Sequence, residues 1–433
     1  MTMHWIDPTI LTRGSCALAC RRFKGVHSCD RIAELMQDIR EGYGVPLERI
    51  TSTVTDIGSN FVKAFKVCGI PASYTDGEED GEARFEDISD AILSRHIRCA
   101  FHTLSLIARS DVKKAIAQNA GCDRLYTACV AKCTKYWNAS HRPKSAEVIQ
   151  EVIGFSLPTP CPTRWNSFHD ALSGILKSRQ HIPRLAEQLD LPTFREVEME
   201  FIEEYHRQLQ PIACALDRLQ GSKDSYYGEF LPVIRALKSK LESLNSSISV
   251  GTCRPVAQAL LNGVKTLFRS FTELKDDVFI LAAVSHPFFK LRWATGGDKA
   301  AEKKKMTDLL LQAAAQQASA MQDKENQEDA APTNDDFFNF EDAPPEESLG
   351  GSGSHLEILK YLEDSRTDIK MLHNFPSVKA IFIKYNTNLC SSAAVERLFS
   401  FGNLILRPNM RRLTDSLFEK LLLLKSTNGT PAK

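Results

Sequence analysis

Between Phe194 and Phe271 large apolar residues recur every three or four positions, and this spacing constrains the fold more than any other feature of the chain. Phe194, Val197, Phe201, Tyr205, Leu209, Ile212, Leu216 and Leu219 form one stripe. Phe230, Val233, Leu237, Leu241 and Leu244 form a second, and Val256, Leu260, Val264, Leu267 and Phe271 a third. Three successive amphipathic helices must bury their stripes against one another or against a sheet. The pattern predicts a helical insertion or bundle.

The first 70 residues pattern differently. Met3–Ile6 reads as a strand that turns at Asp7-Pro8, and Ser15 to Phe23 as a second strand. Ile32, Leu35, Met36, Ile39 and Tyr43 then follow helical spacing, closed by Gly42 and Gly44. Ile50 to Thr55 reads as a third strand ending at Asp56, with a helix from Gly58-Ser59-Asn60. Thr75 to Glu86 reads as an acidic surface loop, and Ile97–Phe101 as a short strand before another helix. Strands and helices in this order fit a mixed sheet covered by helices.

A third texture begins near residue 296. Asp323 to Glu347 holds ten acids and one lysine, too charged to bury the apolar area that offsets chain entropy. The stretch 296–354 is expected to be a disordered acidic linker, with a marginal helix around Leu309–Ala320. Phe337-Phe338-Asn339-Phe340 within it is either a docking motif or part of a bland linker. From 355 to 425 the pattern is helical again. The expected division is 1–190 α/β, 191–295 helical insertion, 296–354 linker and 355–433 helical C-terminal segment.

Lys+Arg and Asp+Glu balance at 54 each, so net charge argues neither for nor against nucleic acid. No apolar run approaches the roughly 20 residues of a membrane helix; Val278 to Val284 is far too short. Twelve scattered cysteines without a CxxC suggest reduced thiols rather than a disulfide framework.

A few positions have chemistry to offer. Asp56, at a strand end, is placed to hold a divalent metal, although strand-end aspartates also cap helices. Glu396 falls in the first turn of a helix capped by Ser392, where it either serves a packed site or complements the helix dipole. Cys99-x-x-His102 has the spacing of half a zinc site, with Cys129 and Cys133 as nearest partners. The alternative is a packed thiol beside a hydrogen-bonded histidine. Arg164-Trp165 suits a phosphate contact with a base-stacking ring, or a Trp anchor beside a solvated Arg. From Arg397 to Lys425 six bases face two acids, a modest phosphate-binding face or a solvated helix. Leu417, Phe418, Leu421, Leu422 and Leu424 require packing onto an earlier helix or a second subunit.

Taken in order, these blocks resemble the hAT transposase superfamily. Ser391-Ser392-Ala393-Ala394-Val395-Glu396-Arg397-Leu398-Phe399-Ser400, continuing to Arg411-Arg412-Leu413 and Phe418-Glu419-Lys420-Leu421-Leu422, looks like its C-terminal dimerisation region with the last catalytic acid. Thr55 to Phe65 looks like its second catalytic block, Arg98 to Leu104 its Cys-x-x-His block, and Pro162 to Ser167 its Arg-Trp block. The resemblance implies an α/β plus α chain: an RNase H-like core interrupted by an all-helical insertion, with a C-terminal helical dimerisation region. It implies three acids holding Mg²⁺, of which Asp56 is the second and Glu396 the third. It places His102, Arg164, Trp165, Arg397, Arg411 and Arg412 along DNA. It makes Leu398, Phe399, Leu417, Phe418, Leu421 and Leu422 dimerisation residues, with a second copy or a related hAT-domain protein as partner.

The departures set the functional expectation. Thr2–Ile6 looks like the second strand of that core, so the first strand, its acid and the usual BED-type zinc finger are not seen, and Ile57 stands where the family usually has Asn. The chain is expected to be a nuclear, transposon-derived protein that dimerises and does not cut DNA. The alternative is a Mg²⁺-dependent cut-and-paste transposase whose N-terminal part lies outside this sequence. Lys303-Lys304-Lys305 is a weak import signal or the end of a solvated helix.

Overall fold

The computed structural model describes residues 1–56, 58–70, 91–161, 165–221, 225–247, 251–295, 297–328, 350–406 and 413–428. The expected acidic loop at 75–86 lies outside them, as does the aromatic cluster Phe337 to Phe340. The chain is 69% helical with a few short strands, an α plus β architecture. It begins with β1 (Thr2–Ile6), β2 (Arg13–Ala17), α1 (Cys29–Gly42), β3 (Thr53–Thr55), α2 (Ser59–Cys68) and β4 (His96–Arg98). Helices α3 (Ala100–Leu106), α4 (Val112–Ala117), α5 (Ala120–Ser140), α6 (Pro143–Ile153), α7 (Trp165–Lys177) and α8 (Ile182–Leu189) follow. The long α9 (Glu196–Leu219) precedes α10 (Phe230–Ser246), α11 (Arg254–Leu267), α12 (Arg269–Thr272) and α13 (Asp277–Val284). The chain continues through α14 (Lys299–Glu328), α15 (Gly350–Glu363), α16 (Pro376–Asn386), α17 (Ala393–Ile405) and α18 (Asp415–Asn428).

Contacts gather these elements into two compact units. The first takes Met1–Ile97, Ser222–Pro232 and Leu274–Lys433; the second takes Arg98–Gly221 and Val233–Glu273. Helices α3 to α8, which precede the expected boundary at 190, therefore share the second unit with α9, α11 and α12.

In the first unit the strands form two separate two-stranded sheets, β1-β2 and β3-β4, where one mixed sheet was expected. β1 and β2 are antiparallel, with Thr2 opposite Ala17 and Ile6 opposite Arg13. The second strand is shorter than its apolar run because Leu18 and Ala19 leave the ladder to bury against Ile39 of α1. A second cluster joins α1 to α2 through Ile32, Ala33, Ala64, Phe65 and Cys68.

The centre of this unit is α13, whose residues Phe279 to Val284 are all buried. The helix is eight residues long, and no helix among the described residues is long and apolar enough to cross a membrane. Gly228 sits against it so closely that an added Cβ would lie 2.3 Å from the Ala282 carbonyl oxygen. Around α13 pack α14 and α16.

Helix α14 includes the stretch Leu309–Ala320 where a helix was expected and extends on both sides of it, from Lys299 to Glu328, within the stretch expected to be linker. Met306, Leu310, Ala313 and Ala314 recur at helical spacing and are buried. The count of acids downstream obscured the extent of this helix, not its presence.

The second unit is built of helices. The three stripes between 194 and 271 fold as α9, α10 and α11, and Phe201, Tyr205, Leu209, Ile212, Leu216 and Leu219 are buried as expected. Val197 and Leu267 are exceptions and stay exposed. Aromatic rings fill the space around Tyr205: Tyr126, Phe168 and Phe201 stand with ring centroids 5.5, 6.4 and 6.0 Å away. The α9 N-terminus is fixed by Glu198, which is 2% exposed and accepts from Lys132 Nζ at 2.6 Å, Arg195 N at 2.7 Å and the Arg195 guanidinium at 3.2 Å. Burial raises the pKa of this carboxyl, but those donors outweigh it and hold it below the usual range.

Candidate functional site

The segment that leads into α17 is held by a polar cluster anchored far away in sequence. Asn386 ends α16 in a fully buried position. Its Nδ2 donates to the Ala282 carbonyl at 3.0 Å and to Ser285 Oγ at 3.2 Å, while Oδ1 accepts from Gly228 N at 2.7 Å. The carbonyls of Asn386, Thr387 and Asn388 have no further helical turn to bond them. The Arg13 guanidinium from β2 supplies the donors, at 2.7, 2.5 and 3.2 Å, and its Nε reaches the Ser225 carbonyl at 3.2 Å. A cation at a helix C-terminus also complements the helix dipole. Asn388 Oδ1 in turn accepts from Thr51 Oγ1 at 2.7 Å and Ser52 Oγ at 2.6 Å, just ahead of β3.

Sequence reasoning passed over Arg13, Asn386 and Asn388. Their types carry no signal by themselves, since an arginine near a turn and two asparagines after a helix are ordinary surface residues until their distant partners are known.

From Ser391, which is buried, the chain enters α17. Ser392 is the residue before the helix, as expected, although its side chain makes no capping hydrogen bond. Glu396 lies in the first turn and is exposed. Asp56 stands between β3 and α2, exposed, with Oδ1 accepting from Gly58 N at 3.3 Å. This is the local geometry of an Asx turn, and the residue that precedes α2 is Gly58, not Asp56. Thr55 beside it bridges the Asp56 carbonyl at 2.9 Å and His96 Nε2 at 2.8 Å, and the His96 ring stacks on Phe65.

Two exposed carboxylates are right in kind for Mg²⁺, which takes oxygen ligands. No group of three His, Cys, Asp or Glu close enough to hold a metal ion occurs among the described residues. The described residues therefore do not complete the metal site that the resemblance implies.

The remaining candidates are scattered. Arg397 is exposed on α17, close enough to His4 of β1 that its charge, with that of Arg13, adds to burial in pushing the His4 pKa down to about 4. Arg164, Arg411 and Arg412 lie outside the described residues. Trp165 opens α7; beside it Asn166 donates to the Ala213 carbonyl at 3.2 Å and to Asp217. Ser167 Oγ accepts from Cys161 N at 2.7 Å, so this block anchors a turn against α9. Cys99 is fully buried and its sulfur accepts from His102 N at 3.3 Å, capping α3. Cys129 and Cys133 are buried free thiols, pushed up to about 12 by burial.

The dimerisation candidates divide by exposure. Leu398 and Leu422 are buried between α17 and α18, with Ile405, and Leu413, Phe418 and Leu421 pack against them. Gly402 permits the approach, since an added Cβ would lie 3.3 Å from the Phe418 ring. Phe399 and Leu417 face solvent, and so do Phe401, Leu404, Leu406 and Leu424. Periodicity alone could not separate the two sets, because both faces of the pair are apolar.

The second unit holds a feature that whole-chain charge conceals. Arg98 to Lys144 contains nine Lys and Arg against two acids, Asp111 and Asp123. Lys113, Lys114, Arg124, Lys135, Arg142 and Lys144 are exposed. Lys113, Lys114, Lys135 and Lys144 have no ion-pair partner among the described residues. Arg124 and Lys135 lie three helical turns apart on the face of α5 opposite buried Cys129, Cys133 and Tyr136.

No protein-family model matches the chain, and no curated protein does.

Proposed function

We propose that this chain is an hAT transposase-like protein whose activity is self-association through α17 and α18. The observation that carries the reading is the exposure of six large apolar side chains on that pair, with Phe399 58%, Leu404 55% and Leu424 61% accessible. An apolar patch of this kind on a soluble surface marks an interaction site. Covering half-exposed side chains of this size gives about 1–2 kcal/mol each. In a two-fold interface each counts twice, so the gross gain is on the order of 10–20 kcal/mol against roughly 4–15 for association. The resemblance of Ser391 to Ser400 to the family's dimerisation block supports a second copy as the occupant.

In this reading β1 to β4 with α1 and α2 belong to an incomplete RNase H-like core, Asp56 and Glu396 are inherited positions, and the protein works in the nucleus without cutting DNA. Sedimentation at micromolar concentration should give a dimer, and Leu404→Glu combined with Leu406→Glu should give a monomer of unchanged helicity. A monomeric wild type ends the proposal.

The cationic stretch Arg98–Lys144 favours a second reading, phosphate-backbone binding to DNA. Its affinity should fall steeply with salt, and Lys113→Glu with Lys114→Glu should weaken it. The catalytic alternative needs a third acid from beyond the described residues. Mg²⁺-dependent nicking of a DNA duplex, lost in Glu396→Gln, would establish it in place of the non-cutting reading.

A further inference from the structure

The two sides of α5 differ in kind. One side, with Cys129, Cys133 and Tyr136, is buried, and the Tyr136 hydroxyl donates to the Pro192 carbonyl at 2.9 Å. The other turns Arg124, Thr127, Ala131, Lys135 and Asn138 to solvent. At 3.6 residues per turn these side chains leave the helix within about 80° of one another. Neither an acid nor a large apolar side chain stands among them. Within the protein Arg124 donates from Nε to the Ala120 carbonyl at 3.2 Å, and neither it nor Lys135 has an ion-pair partner among the described residues. Solvated bases elsewhere in the same unit are paired instead. Arg179 meets Glu196 and Glu203, Lys265 meets Glu242 at 3.0 Å, and Arg269 meets Glu273 at 2.8 Å.

Resting on the DNA-binding reading of Arg98–Lys144, we propose that this exposed face of α5 enters the major groove of duplex DNA. Arg124 and Lys135 bind phosphates on the two walls of the groove, and Ala131 faces the base edges between them. Three helical turns, about 16 Å, separate the two bases, against a major groove about 12 Å wide. Each side chain can therefore reach one wall from its own end of the face. The residues between them are short, so the helix backbone can approach the bases closely. Their types also suit base edges: Thr and Ala methyls pack on the thymine methyl, and an asparagine amide pairs with adenine. A protein partner would be held by large aromatic or apolar anchors, which this face lacks. Lys113 and Lys114 are exposed on α4, which packs against α5, and they extend the positive field.

Titration of the full chain with a short labelled DNA duplex of mixed sequence, read by fluorescence anisotropy across a salt series, tests this assignment. Arg124→Gln with Lys135→Gln keeps good helix formers at exposed positions, so circular dichroism and melting temperature should not change. The double variant should bind more weakly, and its slope of log affinity against log salt should flatten by about 1.8, the counterion release of two phosphate contacts. Ala131→Tyr adds bulk without charge at the centre of the face, so it should weaken binding by excluding the helix from the groove. An A-form RNA duplex, whose major groove is too narrow to be read, should bind more weakly than DNA.

The assignment to α5 fails if either variant binds DNA as the wild type does; steep salt dependence in the wild type would then leave the DNA-binding reading standing on other residues. Equal binding of the RNA duplex would reduce the face to diffuse charge, and equal binding of polyglutamate would give it to an acidic protein. A wild type that binds no duplex removes the DNA-binding reading and the role of α5 together.

Discussion

The two units solve the same problem with different materials. The second is held by repetition: apolar stripes on α9, α10 and α11 are buried, rings gather around Tyr205, and a buried carboxylate, Glu198, ties α9 to Lys132 of α5. The first is drawn from three separated stretches of chain and has only two small sheets. Its backbone groups are not satisfied by long ladders, so side chains such as Arg13, Asn386 and Asn388 take over. A unit with little regular structure concentrates its stability in a few polar contacts, while a bundle spreads it over many apolar ones.

Substitutions can break or sharpen that contrast. The largest effect is expected at Asn386→Leu, which leaves Gly228 N unpaired in a buried site and takes the amide donor from the Ala282 carbonyl and Ser285 Oγ, at a cost of about 3–5 kcal/mol. Urea unfolding of the first unit, followed by Trp293, checks it; an effect under 1 kcal/mol would make the polar cluster ornamental. Glu198→Gln should cost the second unit about 3 kcal/mol, because Lys132 keeps its charge and loses its carboxylate. Unfolding followed by Trp137, with the other tryptophans replaced, reads this out.

Acid should reach the two units differently. Burial holds His286 of the first unit neutral, with its pKa down at about 4 from an ordinary 6.5. The unfolded chain takes up that proton first, so the stabilisation is complete above pH 6.5 and is lost as pH falls toward 4. The pH-dependent loss from this residue is about 2–3 kcal/mol, and His286→Phe, which keeps an aromatic ring beside Tyr226 and Phe382, should flatten that slope. Glu198, whose folded pKa is lowered, contributes above the ordinary carboxylate range near 4.5 and loses that contribution only below it. The smallest effect belongs to the exposed pair Lys24–Asp415 at 3.8 Å: Lys24→Ala should change stability by less than about 0.5 kcal/mol.

Much of the helical framework was legible because periodicity is a local property. The stripe from Phe201 to Leu219 needs only its own residues to declare a helix and its buried face. Met306 to Ala314 obeys the same rule, and only the extent of that helix, not its presence around Leu309–Ala320, was missed. The small sheets were half legible: β1 and the end of β3 could be placed, yet nothing local told Leu18 and Ala19 to leave β2 for α1. Within the candidate site the order of blocks pointed to Asp56 and Glu396, and the structure puts both in exposed turns at helix starts. The division between buried Leu398 and exposed Phe399 depends on where α18 lies, which the α17 sequence does not contain. The cationic run from Arg98 to Lys144 is legible in the sequence by the same local count of charge that marks Arg397 to Lys425.

The contact between Arg13 and the Thr387 carbonyl spans 374 positions. On a ribosome, the hairpin of β1 and β2 emerges long before its arginine can find the carbonyls it serves. By then the last residue of the second unit, Glu273, has long been made, so the bundle can mature during synthesis before the first unit is able to close. Nascent chains stalled after residue 300 should already protect the bundle from protease and leave the hairpin open to cleavage.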